Sequence, residues 1–206
     1  MPSLHPQVGS YCEDGATAPF PCEAGTFTAA TNLSSVAQCT PCPVGQACGT
    51  GSIAPNKCSA GTVAPQQRSA ECARCEAGRF MNMTGRTVCF HCLRGAYCPP
   101  GSVTPIPCAA GTYGSGTGLA NATDCRQCEP GSACILGSVS PDECGAGTYA
   151  AAFGQEHCTA CEAGKFQNAT GGTACSVCAP GHFCTTSEAF ECSENVCAAG
   201  SEPRRI

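Results

Sequence analysis

The sequence predicts a small disulfide-rich, all-β fold: an elongated ladder of short irregular β-hairpin modules, with little helix and no single hydrophobic core. Three observations predict it. Of 206 residues, 23 are cysteine, above the roughly 8–10% at which a chain reads as a disulfide scaffold. Leu, Ile, Val and Phe together make only 26 residues, and Trp is absent. That is well short of the roughly 20% expected of a chain that builds an apolar core. The cysteines also recur at a fixed period, the mark of a repeat architecture.

The period is 86 residues. Each of the eleven cysteines from Cys12 to Cys98, moved 86 residues on, lands on another cysteine. The frame breaks only at the end, where Cys108 would map to Glu194. The chain therefore divides into a lead-in (1–11), a first block (12–97), a second block (98–183) and a divergent last module with its tail (184–206). Within each block the main Cys-x-x-Gly series recurs every 16–20 residues, giving five units of about 17, and further copies at Cys12, Cys48, Cys98 and Cys134 are read as the closing cysteines of short units. Gly and Pro interrupt such a unit too often for a long helix. The recurring Gly marks a positive φ or a close backbone approach, and the aromatic two residues later is placed to cover a disulfide. Each unit reads as a hairpin, marginal alone in water and stabilised by stacking in a quasi-one-dimensional array.

Spacing alone does not fix the disulfides, but equivalent cysteines should pair equivalently. The simplest scheme is Cys22–Cys39, Cys58–Cys72, Cys75–Cys89, Cys108–Cys125, Cys144–Cys158 and Cys161–Cys175 for the larger loops. Cys42–Cys48, Cys92–Cys98, Cys128–Cys134 and Cys178–Cys184 close the short ones, and Cys192–Cys197 closes the tail. A crossed arrangement within the larger units is the alternative. Cys12 is left over, because the position that should hold its partner is Pro6. It is expected to be free or to bond another chain, the Cys192/Cys197 tail of a neighbour being one choice.

Six Cys-x-x-Cys pairs also match a zinc-ligand spacing, and "CFHC" at 89–92 adds His91. The downstream copy reads "CSVC", with Val177 in place of the histidine, so the pattern is read as disulfide and no metal is expected. Four of the six asparagines stand in Asn-x-Ser/Thr: Asn32, Asn82, Asn121 and Asn168. All four fall in the long loop that precedes a Cys-x-x-Cys, positions suited to N-glycosylation of a secreted protein. Exposed Ser and Thr offer sites for O-linked sugar. Beyond glycans no cofactor is expected.

The net charge is −5 and no basic patch is expected, Arg204 and Arg205 standing at the very end. Nucleic acid is not an expected partner. No apolar run reaches the roughly 18 residues of a membrane span. The first residues lack the pattern of a signal peptide, so the sequence reads as a processed chain or a segment of a larger secreted protein. No Gly-x-Ser-x-Gly, phosphate-loop or paired-carboxylate pattern occurs, and Glu23, Glu76 and Glu162 recur only singly. An enzyme is not expected.

"CAAGTYGSGTGLANATDCRQCEPGSAC" (108–134) and "CEAGKFQNATGGTACSVCAPGHFC" (161–184) resemble ephrin-receptor-like cysteine-rich repeats, relatives of tumour-necrosis-factor-receptor modules. Ala133 stands where the family has an aromatic. The resemblance spans about residues 11–184 and implies an extracellular, rod-like tandem array of small β modules with local disulfides. The function expected is an extracellular or cell-surface structural glycoprotein, a rod assembling head-to-tail with itself into a fibre, appendage or matrix layer. The alternative is a receptor or adhesin ectodomain that binds another extracellular protein.

Overall fold

A computed structural model describes residues 6–179 and 182–191, the side chains of 183 and 189–191 excepted. Among the described residues the chain forms eleven two-stranded sheets and two short 3-10 turns, Val36–Gln38 and Ala122–Asp124. It is a small disulfide-rich all-β fold. It divides into two compact units: Met1–Leu93 with Cys98–Ile106 and Thr117–Asn121, and Arg94–Tyr97 with Pro107–Gly116 and Ala122–Ile206.

One module of the first unit shows how the sequence makes a rung. Ser59, Ala60, Gly61 and Thr62 form a β-turn in which Thr62 N–H donates to Ser59 C=O at 3.0 Å. Gly61 is the third residue of that turn, at φ +82°, the position where a type II turn requires positive φ and favours glycine. The Thr62 hydroxyl donates to the same carbonyl at 2.8 Å. Strand Thr62–Val63 then pairs antiparallel with Ala73–Arg74, Thr62 opposite Arg74. Cys58–Cys72 closes the base.

Most strands are only two residues long, too short to hold a hairpin in water by themselves. Backbone bonds between modules supply what the strands lack. Gly61 N–H donates to Met81 C=O of the following module at 2.7 Å, and Cys75 N–H donates back to Gly61 C=O at 2.9 Å. Gly85 N–H, in that following module, reaches Cys58 C=O at 2.8 Å. The second unit repeats the set with Gly147 to Gln167, Cys161 to Gly147 and Gly171 to Cys144, at 2.7, 2.9 and 2.8 Å. A Cβ on Gly61 would run into the carbonyl oxygen of Gly101, so close approach and positive φ both demand glycine there.

The interior of each unit is largely sulfur. Cys22, Cys42, Cys48, Cys92, Cys98, Cys108, Cys128, Cys134 and Cys144 have no exposed surface. Apolar clusters are small: Val63 and Met81 with Cys75 and Cys89, and Leu33 with Cys22, Cys39 and Tyr11. Tyr11 therefore covers the disulfide of the next module. A parallel bridge from Tyr11 to Leu33, repeated between Phe27 and Ser52, brings the aromatic forward onto its successor.

Candidate functional site

Among the described residues ten disulfides join Cys22–Cys39, Cys42–Cys48, Cys58–Cys72, Cys75–Cys89, Cys92–Cys98, Cys108–Cys125, Cys128–Cys134, Cys144–Cys158, Cys161–Cys175 and Cys178–Cys184. Their Cα atoms lie 5.6–6.1 Å apart, within bridging range. The arrangement is sequential, with no crossed pair among them. Cys192 and Cys197 lie outside the described residues, as do His5, Arg204 and Arg205.

Cys12 is half-buried and outside any disulfide. The backbone has kept the ladder where the sulfur is missing: Asn32 N–H donates to Pro6 C=O at 3.3 Å, as Gly118 N–H donates to Cys92 C=O at 2.9 Å one block later. At Pro6 the carbonyl acceptor is kept, while the disulfide and the backbone N–H donor of the equivalent Cys92 are lost.

His91 stands on an exposed strand between Cys89 and Cys92. Both of those sulfurs are bonded elsewhere, to Cys75 and Cys98, so neither is a thiolate available to a metal. Among the described residues no three His, Cys, Asp or Glu side chains converge as metal ligands. Glu162 forms an exposed ion pair with Lys165 at 2.9 Å. The hydrogen bond and charge of Lys165 hold its carboxyl below the ordinary value, and the lysine is raised in turn.

The four sequon asparagines, Asn32, Asn82, Asn121 and Asn168, are all exposed. Asn32 has φ +64° and occupies the place taken by Gly118 at φ +77° in the second block. Asparagine is one of the few non-glycine residues that visits this region readily. Its loop is held by Gln38, whose side-chain oxygen accepts from Ser34 N–H at 2.6 Å and from Ser35 N–H at 3.2 Å.

One surface was not legible in the bulk charge. In ten hairpins the second strand, the pair of residues just before the next module's first cysteine, is exposed. In six of the modules that pair is the x-x of a Cys-x-x-Cys. The cysteine frame therefore displays two free residues per rung. In three consecutive rungs of the first unit the last displayed residue is Lys57, Arg74 and His91. A chain of net charge −5 averages away such a local column. The signal was the charge of one register position read rung by rung.

Apolar side chains are also displayed. In the second unit Ile135, Leu136 and Val139, with Asp142, line a shallow groove of about 250 Å³. No helix is long and apolar enough to cross a membrane among the described residues.

The fold is that of a tandem cysteine-rich repeat protein, a ladder of disulfide-bonded short hairpins. A scan of protein-family models and a search of curated proteins returned no match. Disulfides at this density belong to oxidising compartments, and the architecture fits an extracellular structural or ligand-binding module.

Proposed function

We propose that the chain is an extracellular glycosylated structural protein, of the ephrin-receptor-like repeat type, whose laddered modules are a building block of a fibre, appendage or surface layer. It carries N-linked sugar at Asn32, Asn82, Asn121 and Asn168, works without catalytic chemistry or cofactor, and associates head-to-tail with copies of itself. One observation carries the reading. Within each unit the same set of bonds, from the turn glycine forward and the next cysteine back, joins one module to its successor. Such an interface is extended by adding modules, and heterologous contacts of that kind propagate into filaments.

Electron microscopy of the secreted, non-reduced protein tests it, together with intact mass before and after removal of N-linked sugar. Filaments and a mass loss abolished by Asn→Gln at the four sites are expected. Dispersed, sugar-free monomers would refute the proposal. The apolar groove at Ile135, Leu136 and Val139 supports a second reading, a ligand-binding ectodomain. In that case Leu136→Asp should abolish capture of a soluble protein partner and leave assembly unaffected.

A further inference from the structure

We propose that the Lys57–Arg74–His91 column is a binding surface for a sulfated polysaccharide. The inference rests on the extracellular reading, because such polymers lie outside the cell. The three residues hold one register position in consecutive modules: Lys57 is opposite Gln46, Arg74 opposite Thr62 and His91 opposite Arg79. Each side chain lies over a loop glycine. A Cβ on Gly85 would sit 3.7 Å from Lys57 Cδ, one on Gly101 3.6 Å from Arg74 Cδ, and one on Gly118 3.8 Å from His91 Nδ1. The same register and the same backbone setting thus recur three times in succession, each side chain beside a loop glycine.

Nothing within the described chain neutralises them. Its two side-chain ion pairs are His157–Glu156 and Lys165–Glu162, and no side-chain hydrogen bond involves Lys57, Arg74 or His91. Residues 57–91 carry five Lys and Arg against two Glu, whereas the equivalent 143–177 carry one Lys against three Glu. The duplicated frame is therefore its own control: Glu143, Ala160 and Val177 stand at the equivalent positions of the second block. The fold does not require cations at this position.

Two cations one module apart, Lys57 and Arg74, with the His91 imidazole as a further polar group one module on, suit a polymer with anions at regular intervals. Guanidinium and ammonium donors bind sulfate through charge-assisted hydrogen bonds. A second copy of this chain is a poorer occupant, because its own equivalent position offers a single carboxylate, Glu143.

The test is the affinity of the full secreted chain for a sulfated glycosaminoglycan oligosaccharide at two salt concentrations, with neutral dextran as control. Secretion is scored separately, so a chain that fails to leave the cell speaks to localisation and not to the column. Wild type should bind the sulfated sugar, more weakly at high salt, and not the dextran. Lys57→Ser with Arg74→Ser should weaken binding about tenfold or more and flatten the salt dependence, as loss of anion contacts does. Arg126→Ser removes one charge off the column and should stay within about twofold. Glu143→Lys with Ala160→Arg, which rebuilds the column in the second block, should tighten binding. Equal losses in Arg126→Ser and Arg74→Ser would reduce the effect to net charge and overturn the proposal. So would a Lys57/Arg74 double variant that retains sugar affinity but loses self-association in ultracentrifugation.

Discussion

Replacing Gly61 by alanine tests the relay between modules. Gly61 has φ +82°, where an L-residue with a Cβ is disfavoured by about 1–2 kcal/mol. The new methyl would also meet the Gly101 carbonyl oxygen, a backbone atom that cannot rotate away. Relieving that overlap displaces two bonds, Gly61 N–H to Met81 C=O and Cys75 N–H to Gly61 C=O, at 2.7 and 2.9 Å. Each contributes about 1 kcal/mol net. The expected loss is about 3–4 kcal/mol, local to the rungs that share these bonds. Because a repeat array need not unfold in one step, the assay is amide hydrogen exchange with disulfides intact. Protection of the Cys75 amide should fall about a hundredfold or more, about 1.4 kcal/mol being each factor of ten. Gly145→Ala is the control: its φ is not positive and nothing lies within 4 Å of its would-be Cβ. Unchanged protection in Gly61→Ala, or an equal loss in Gly145→Ala, would refute the reasoning.

Other perturbations probe the remaining supports. Arg68 has φ +62° where the second block has Gly154 at φ +74°. Arg68→Gly should therefore gain about 0.5–1 kcal/mol in urea unfolding, the relief of the left-handed conformation exceeding the added flexibility of the unfolded chain. Pro6→Cys should restore a bridge to Cys12 like Cys92–Cys98, whose Cα atoms are 5.8 Å apart. Peptide mapping should find Cys12 no longer alkylated. Removing Cys58–Cys72, with a sequence separation of 14, should destabilise more than removing Cys42–Cys48, with 6; the chain-entropy figures are about 3 and about 2 kcal/mol. Equal midpoint shifts would count against that ordering. Lys165→Ala should leave stability near neutral pH little changed, because the Glu162–Lys165 pair is fully exposed and water screens it. What the pair adds is present above the carboxylate's unfolded value and fades as pH falls through its lowered folded one.

Much of the fold was legible in the sequence because it is written in cysteine and glycine. The 86-residue frame fixed equivalent positions, and the ten described bridges follow the scheme in which equivalent cysteines pair equivalently. The Cys-x-x-Gly turns needed only local chemistry, a positive φ at the glycine. The missing partner of Cys12 could be read as Pro6 without coordinates. Other features depend on residues far apart along the chain. The pairing of Gly61 with Met81 and Gly101, the cover that Tyr11 gives the next module's disulfide, and the alignment of Lys57, Arg74 and His91 arise only when modules stack. Composition pools such residues and periodicity counts them, but neither says which face they share. The sequence by itself determined the rungs, because a disulfide loop and a glycine turn are short-range. The tertiary structure alone decided how rung meets rung, because that depends on backbone groups whose partners lie in other modules.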